Sequence, residues 1–141
     1  MATTRTANTV WNGDLKRGSG EITFDSSGIG KQAVSWAARA EEPDGRTSPE
    51  ELIAAAHSSC FSMALSNGLA SAGTPPTRLT TKADVTFQPG TGITGIHLTV
   101  RGEVAGIDEA AFTAAAEEAK ANCPVSQALS GTTITLTANL A

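Results

Sequence analysis

Residues 48–65 read SPEELIAAAHSSCFSMAL, and this stretch organises everything around it. Ser48-Pro49-Glu50-Glu51 is a helix start. Ser48 is the N-cap, Pro49 occupies the first helical position, where a missing N–H is no loss, and Glu51 completes a capping box. The helix is expected to run to about Ala72, with Gly73 as its stop, Pro75-Pro76 beyond it and Gly68 interrupting it near the end. It is apolar or small nearly all round: Ile53, Ala54, Ala55, Ala56, Phe61, Met63, Ala64 and Leu65. A helix of that kind is buried on all sides. One sheet covers only one side, which leaves the other for a partner subunit.

Working outward, the N-terminal third reads as strands and tight turns. Asn12-Gly13-Asp14, Gly18-Ser19-Gly20 and Ser26-Ser27-Gly28-Ile29-Gly30 punctuate short segments carrying Val10, Trp11, Ile22 and Phe24. Ala33–Ala40 is expected to be a strand, and residues 41–47 a charged loop. After the helix, Leu79, Ala83, Val85 and Phe87 alternate with polar residues. Ile96, Leu98, Val100 and Val104 then alternate with His97, Thr99, Arg101 and Glu103. Period-two patterning gives each strand one buried and one wet face, and the short turn at Pro89-Gly90 predicts an antiparallel hairpin. A second helix is expected from near Asp108 to about Asn122. Pro124 marks its end, Val125–Leu129 makes one more turn, and Ile134, Leu136, Ala138 and Leu140 mark a closing strand. This order predicts an α+β fold, an antiparallel sheet with two main helices on one face.

The chain has 141 residues, 40% hydrophobic and 17% charged, which fits one ordinary globular domain able to bury a core without staples. Its net charge of −4 and lack of a basic run argue against nucleic-acid binding. The Thr-rich start MATTRTANTV has no apolar segment of a signal peptide, and no stretch suits a membrane span. A cytoplasmic address is the default expectation. Gly18-Ser19-Gly20 and Gly28-Ile29-Gly30-Lys31 lack the spacing of phosphate-binding loops and read as hairpin turns. Glu117-Glu118 reads as a solvated helix face.

Two cysteines, Cys60 and Cys123, stand far apart, and neither forms the C-x-x-C pair of a zinc or thioredoxin-type site. Ile53, Ala56, Cys60 and Met63 fall on one stripe of the first helix. Phe112, Ala115, Ala116, Ala119 and Cys123 fall on one stripe of the second. If the two helices pack together, the thiols approach bonding distance, although two merely packed cysteines remain the simpler reading of the pattern. Cys60 lies about 18 Å along the axis from the N-cap, beyond reach of the helix dipole. A reactive thiolate there needs a cation. His57, three residues earlier, is a local candidate, with a polar residue on the helix flank as the favoured alternative. His97 belongs to the wet face of its strand.

With these residues in place, the chain resembles the OsmC/organic hydroperoxide resistance family. The segment Ser48–Leu65 looks like its signature helix and Asn122-Cys123-Pro124-Val125-Ser126 like its second cysteine motif. Trp11–Gly20 is similar to the N-terminal hairpin of the OsmC branch. The resemblance covers essentially the whole chain, 1–141, as one OsmC-like domain. It implies an intertwined homodimer in which sheets wrap the two long central helices, and a thiol peroxidase in oxidative or osmotic stress defence. Cys60 would be the peroxidatic thiol and Cys123 the resolving one. The substrate would be an organic hydroperoxide or hydrogen peroxide, and the reductant an external dithiol such as a lipoyl group on a partner protein. No metal, haem or flavin is implied.

The resemblance also implies a catalytic arginine and a glutamate that holds it. Arg39, in Ala38-Arg39-Ala40-Glu41, matches the arginine best, with Arg17 and Arg46 as alternatives. Glu50 matches the glutamate, and Glu51 is left to the capping box. Glu50 and Cys60 are ten residues apart, about 15 Å along one continuous helix. Glu50 is therefore expected to serve the Cys60 of the other subunit. Phe24, Trp36, Phe61 and Met63 either line an apolar substrate pocket or are ordinary core. Two readings outside catalysis stay open: a dimer that holds an apolar ligand, and a redox sensor whose disulfide changes a partner contact.

Overall fold

Three strands, β1 (Asn8–Asn12), β2 (Ser19–Thr23) and β3 (Lys31–Val34), pair antiparallel in that order, and a short helix, α1 (Trp36–Ala40), follows. The computed structural model describes all 141 residues, which divide into two compact units, Met1–Leu52 and Ile53–Ala141. In the first unit, Ile22, Val34 and Ala38 are buried. The Trp11 indole N–H donates to the Gly13 carbonyl at 3.0 Å. Its ring lies so close over Gly20 that a Cβ there would meet it at 2.8 Å, which is why the hairpin carries glycine at that point.

The strand expected over Ala33–Ala40 is divided. It ends at Val34, and Ser35 caps α1, its Oγ accepting from the Ala38 N–H at 3.1 Å. A capping serine ahead of the helix formers Trp-Ala-Ala-Arg-Ala outweighs the strand reading. Arg39 therefore belongs to the last turn of a helix, not to a strand.

Helix α2 (Pro49–Ser71) then begins at the expected Ser48 cap, but Glu51 does not close the capping box on the Ser48 N–H. Ser48 Oγ accepts from the Glu51 N–H at 3.2 Å, and the Glu51 carboxylate reaches back one residue further, to the Thr47 hydroxyl at 2.6 Å. At its end Gly73 takes φ 88°, a left-handed conformation that glycine enters without strain. The Gly73 N–H donates to Ala70 O at 3.0 Å and the Thr74 N–H to Leu69 O at 2.9 Å, the paired bonds of a Schellman ending.

In the second unit, β4 (Arg78–Gln88) and β5 (Gly92–Glu103) form the expected antiparallel hairpin. Helix α3 (Glu109–Asn122) starts at Asp108, whose carboxylate accepts from the Ala111 N–H at 2.8 Å. Helix α4 (Pro124–Ala128) supplies the extra turn, and β6 (Ile134–Leu140) closes the chain. The second sheet has the order β4-β5-β6. Here the antiparallel expectation meets an exception, because β6 runs parallel to β5. The helical segment between them crosses over and returns the chain in its original direction. His97 is half-buried on the outer face, between the hydroxyls of Thr135 (2.6 Å) and Thr137 (3.0 Å).

One cluster fills this unit: Phe61, Leu65 and Leu69 from α2, Leu98 and Val100 from β5, and the α3 stripe ending at Cys123. The buried line of α2 is His57, Phe61, Leu65 and Leu69, not the expected Ile53, Ala56, Cys60 and Met63. Both lines are apolar or small, and the larger Phe and Leu side chains remove more surface from water. Met63 is 73% exposed, and Ala55, Ala56 and Ser59 beside it are exposed too. No helix is long and apolar enough to cross a membrane.

Phe112, fully buried, packs against Gly102, where a Cβ would come within 2.5 Å of its ring. Gly102→Ala is expected to lower the denaturant midpoint by an equivalent of about 1–3 kcal/mol, with secondary structure unchanged. A midpoint equal to wild type would show that the ring moves aside freely.

Candidate active site

Cys123 sits at a junction. It ends α3, its N–H donating to Ala119 O at 2.9 Å, and it begins α4, its carbonyl accepting from the Gln127 N–H at 3.0 Å. Pro124, at the first position of α4, suits such a start. Cys123 is completely buried, Cys60 is partly exposed, and both are free thiols. The Cys123 thiol and the Val125 backbone N–H are the groups beside the Cys60 thiol that act on it. The two sulfurs are thus neighbours, the outcome that the sequence left conditional on the packing of the two helices.

Burial is the main influence on Cys60 and pushes its thiol above the ordinary value of 9.0. The neighbouring Cys123 thiol pushes the same way, the Val125 N–H pulls it down, and the net is upward. With these groups alone the thiol stays protonated and weakly nucleophilic. Attack on an electrophile requires a positive charge to join it.

His57 is not a flank residue. It is completely buried, with Nε2 2.7 Å from Ser126 Oγ, and its Nδ1 has no protein partner. Burial holds the imidazole below its ordinary 6.5, so the ring is neutral at physiological pH. Leaving a buried polar atom unpaired typically costs about 1–3 kcal/mol. Its spacing, four residues before Phe61, is the signal that places it on the core stripe.

In the first unit, Arg39 and Glu50 form a forked ion pair. Arg39 Nε donates to Glu50 Oε1 at 3.0 Å and Oε2 at 3.2 Å, and Nη2 donates to Oε2 at 2.9 Å. Glu50 is buried, while the Arg39 side chain keeps 30% of its surface exposed. Two parallel bonds to a carboxylate fix a guanidinium in both position and plane. Of the three candidate arginines, Arg39 is the one that Glu50 holds. Arg46 approaches Asp44 at 3.9 Å, and the Arg17 backbone N–H donates to Asp14 within a turn. Arg39 also borders a cavity of about 290 Å³ with Trp11, Leu15, Val34, Trp36 and Leu52. Of the apolar pocket candidates, Trp36 lines this cavity, whereas Phe61 is core of the second unit and Met63 is exposed.

A family model described as OsmC-like protein matches residues 42–138. The chain belongs to the OsmC-like family. It is 46% identical over 122 residues to the peroxiredoxin OsmC of Escherichia coli strain K12, spanning 84% of this chain and 85% of that one. The fold is also that of solved OsmC-like structures. An organic hydroperoxide resistance protein OsmC from Legionella pneumophila aligns with TM-score 0.69 and 20% identity, covering 100% of this chain and 98% of that one. An OsmC-like protein from Mycoplasma pneumoniae aligns with TM-score 0.75 and 13% identity, covering 99% of each chain. The OsmC-like match takes in both cysteine segments and Glu50; Arg39 stands just before it.

Proposed function

We propose that this OsmC-like chain is a peroxiredoxin-like enzyme, a cysteine-based peroxidase for organic hydroperoxides that also accepts hydrogen peroxide, in oxidative or osmotic stress defence. The observation that carries the reading is the pair of free thiols, Cys60 partly exposed and Cys123 buried beside it. A peroxidatic thiol must meet substrate; a resolving thiol need only meet its partner.

The Cys60 thiolate attacks the O–O bond, leaving a sulfenic acid, and the departing alkoxide takes a proton to become an alcohol. Cys123 then displaces the sulfenic hydroxyl, giving a disulfide and water. An external dithiol, such as a lipoyl group on a partner protein, restores both thiols by exchange. Arg39 stabilises the thiolate and the charge growing on the leaving oxygen, and Glu50 holds Arg39 for that task. The active form is a homodimer in which the Arg39–Glu50 pair of one subunit serves the Cys60 of the other. The exposed small-residue face at Ala55, Ala56 and Ser59 is what a partner subunit covers.

Single-turnover oxidation tests this directly. With one equivalent of tert-butyl hydroperoxide and no added dithiol, Cys123→Ser is expected to consume the peroxide and stop at a Cys60 sulfenic acid that dimedone traps. A Cys123→Ser variant that forms no sulfenic acid at Cys60 overturns the assignment. Wild-type protein that is oxidised stoichiometrically but never turns over with dihydrolipoamide present is a sensor rather than a peroxidase.

A further inference from the structure

His57 and Ser126 have no part in the chemistry above, yet each stands three residues from a cysteine. His57 precedes Cys60 on α2, and Ser126 follows Cys123 on α4. Both are buried, and Nε2 and Oγ are 2.7 Å apart, joining the two helices across 69 residues of chain. An imidazole is an unfavourable filling for this place in the core. It is fully buried, burial keeps it neutral, and Nδ1 has no protein partner. A leucine would continue the line of Phe61, Leu65 and Leu69 without an unpaired polar atom. What histidine adds is the bond to Ser126.

That bond falls where position matters. Helix α4 has five residues, too few to hold itself in place. Its N-cap is Cys123, whose side chain makes no capping bond. Cys123 joins the end of α3 to α4, so the placing of its sulfur depends on α4 as well as on α3. The geometry points to the His57–Ser126 bond as a latch that holds α4 against α2 and so positions Cys123 for attack on oxidised Cys60. Both are positioning residues for the resolving step. The inference rests on the peroxidase reading and adds a division of labour within it.

After the hydroperoxide has made Cys60 a sulfenic acid, the Cys123 sulfur bonds to the Cys60 sulfur and the S–O bond breaks. The leaving hydroxide combines with the Cys123 proton as water. Cys123 is oxidised as the sulfenic sulfur is reduced. A second hydroperoxide competes by oxidising the sulfenic acid to sulfinic acid. Loosening the latch slows the first outcome and favours the second, and it leaves the initial attack alone.

Quenched-flow mass spectrometry of the reduced full-length protein with tert-butyl hydroperoxide separates these steps. In Ser126→Ala and His57→Gln, disulfide formation is expected to slow by about tenfold, the loss of one hydrogen bond. The sulfinic fraction should rise with peroxide concentration, and sulfenic acid formation should stay at the wild-type rate. Ser126→Thr, which keeps the hydroxyl, should restore the wild-type partition. Lower thermal stability with an unchanged partition, or sulfenic formation that slows in step with disulfide formation, overturns the latch while wild-type turnover stands. Wild-type protein whose Cys60 the hydroperoxide leaves unoxidised overturns the peroxidase reading, and the latch with it.

Discussion

Cys60→Ser is expected to lower kcat/KM for tert-butyl hydroperoxide, with dihydrolipoamide as reductant, by about 10³-fold or more. Oxygen cannot replace sulfur here. A serine hydroxyl does not ionise near neutral pH, and it has no oxidation state corresponding to a sulfenic acid. The remaining thiol offers no substitute, because Cys123 has no exposed surface and a hydroperoxide cannot reach it. Stability should change little, since Cys60 is at the edge of the core and surrenders only a partly exposed atom. Circular dichroism and thermal melting therefore distinguish lost chemistry from lost fold. The size of the effect also depends on activation. Within its own surroundings the Cys60 thiol is pushed upward, away from reactivity. A wild-type rate well above that of a free thiol then requires a further activating group, the role proposed for Arg39. If Cys60→Ser keeps turnover within a factor of about ten of wild type, the nucleophile has been misassigned.

The elements that the sequence made legible are those whose signals are local. Ser48, Asp108 and Gly73 carry their own hydrogen-bonding or conformational reasons, and the helices start and stop there to within a residue or two. Alternation placed β4 and β5 and identified their inner faces. Faces of α2 were harder, because alanine and serine surround it and no direction stands out. Which stripe is buried depends on where β5 and α3 place Leu98, Val100 and Phe112, and that is a tertiary matter. His57 was misread for the same reason. Ser35 was hidden by its neighbours, since Ala33 and Val34 read as a continuing strand until the cap is seen. The parallel pairing of β6 follows from a crossover, which strand periodicity does not encode. Arg39 shows the limit from the other side. By residue type it equalled Arg17 and Arg46, and it was singled out on resemblance. The fork distinguishes it from the other two as the arginine that Glu50 holds; its catalytic role is the proposal above.

Mixed dimers give the sharpest test of how the two halves of the site meet. Arg39→Ala alone is expected to lower kcat/KM by about 10²-fold, the loss of one preorganised charge from an oxyanion site. The reason to look across a subunit boundary is the spacing. Glu50 fixes Arg39, and Glu50 and Cys60 are ten residues apart on a helix that runs unbroken from Pro49 to Ser71. Ten residues of helix are about 15 Å, too far for one carboxylate to hold an arginine against a thiol of the same helix. If the pair of one subunit serves the cysteine of the other, a dimer of one Arg39→Ala and one Cys60→Ser chain contains one intact site. Its other site carries both defects. Co-expression in equal amounts makes about half of the dimers mixed, so the preparation should recover roughly a quarter of wild-type activity, although each parent is nearly inactive. Sites formed within one subunit predict the opposite, because each chain then has its own defect and mixing adds nothing. Activity no greater than the average of the two parents, in a preparation shown by mass to contain the mixed dimer, would remove the shared site and with it the role given to Glu50.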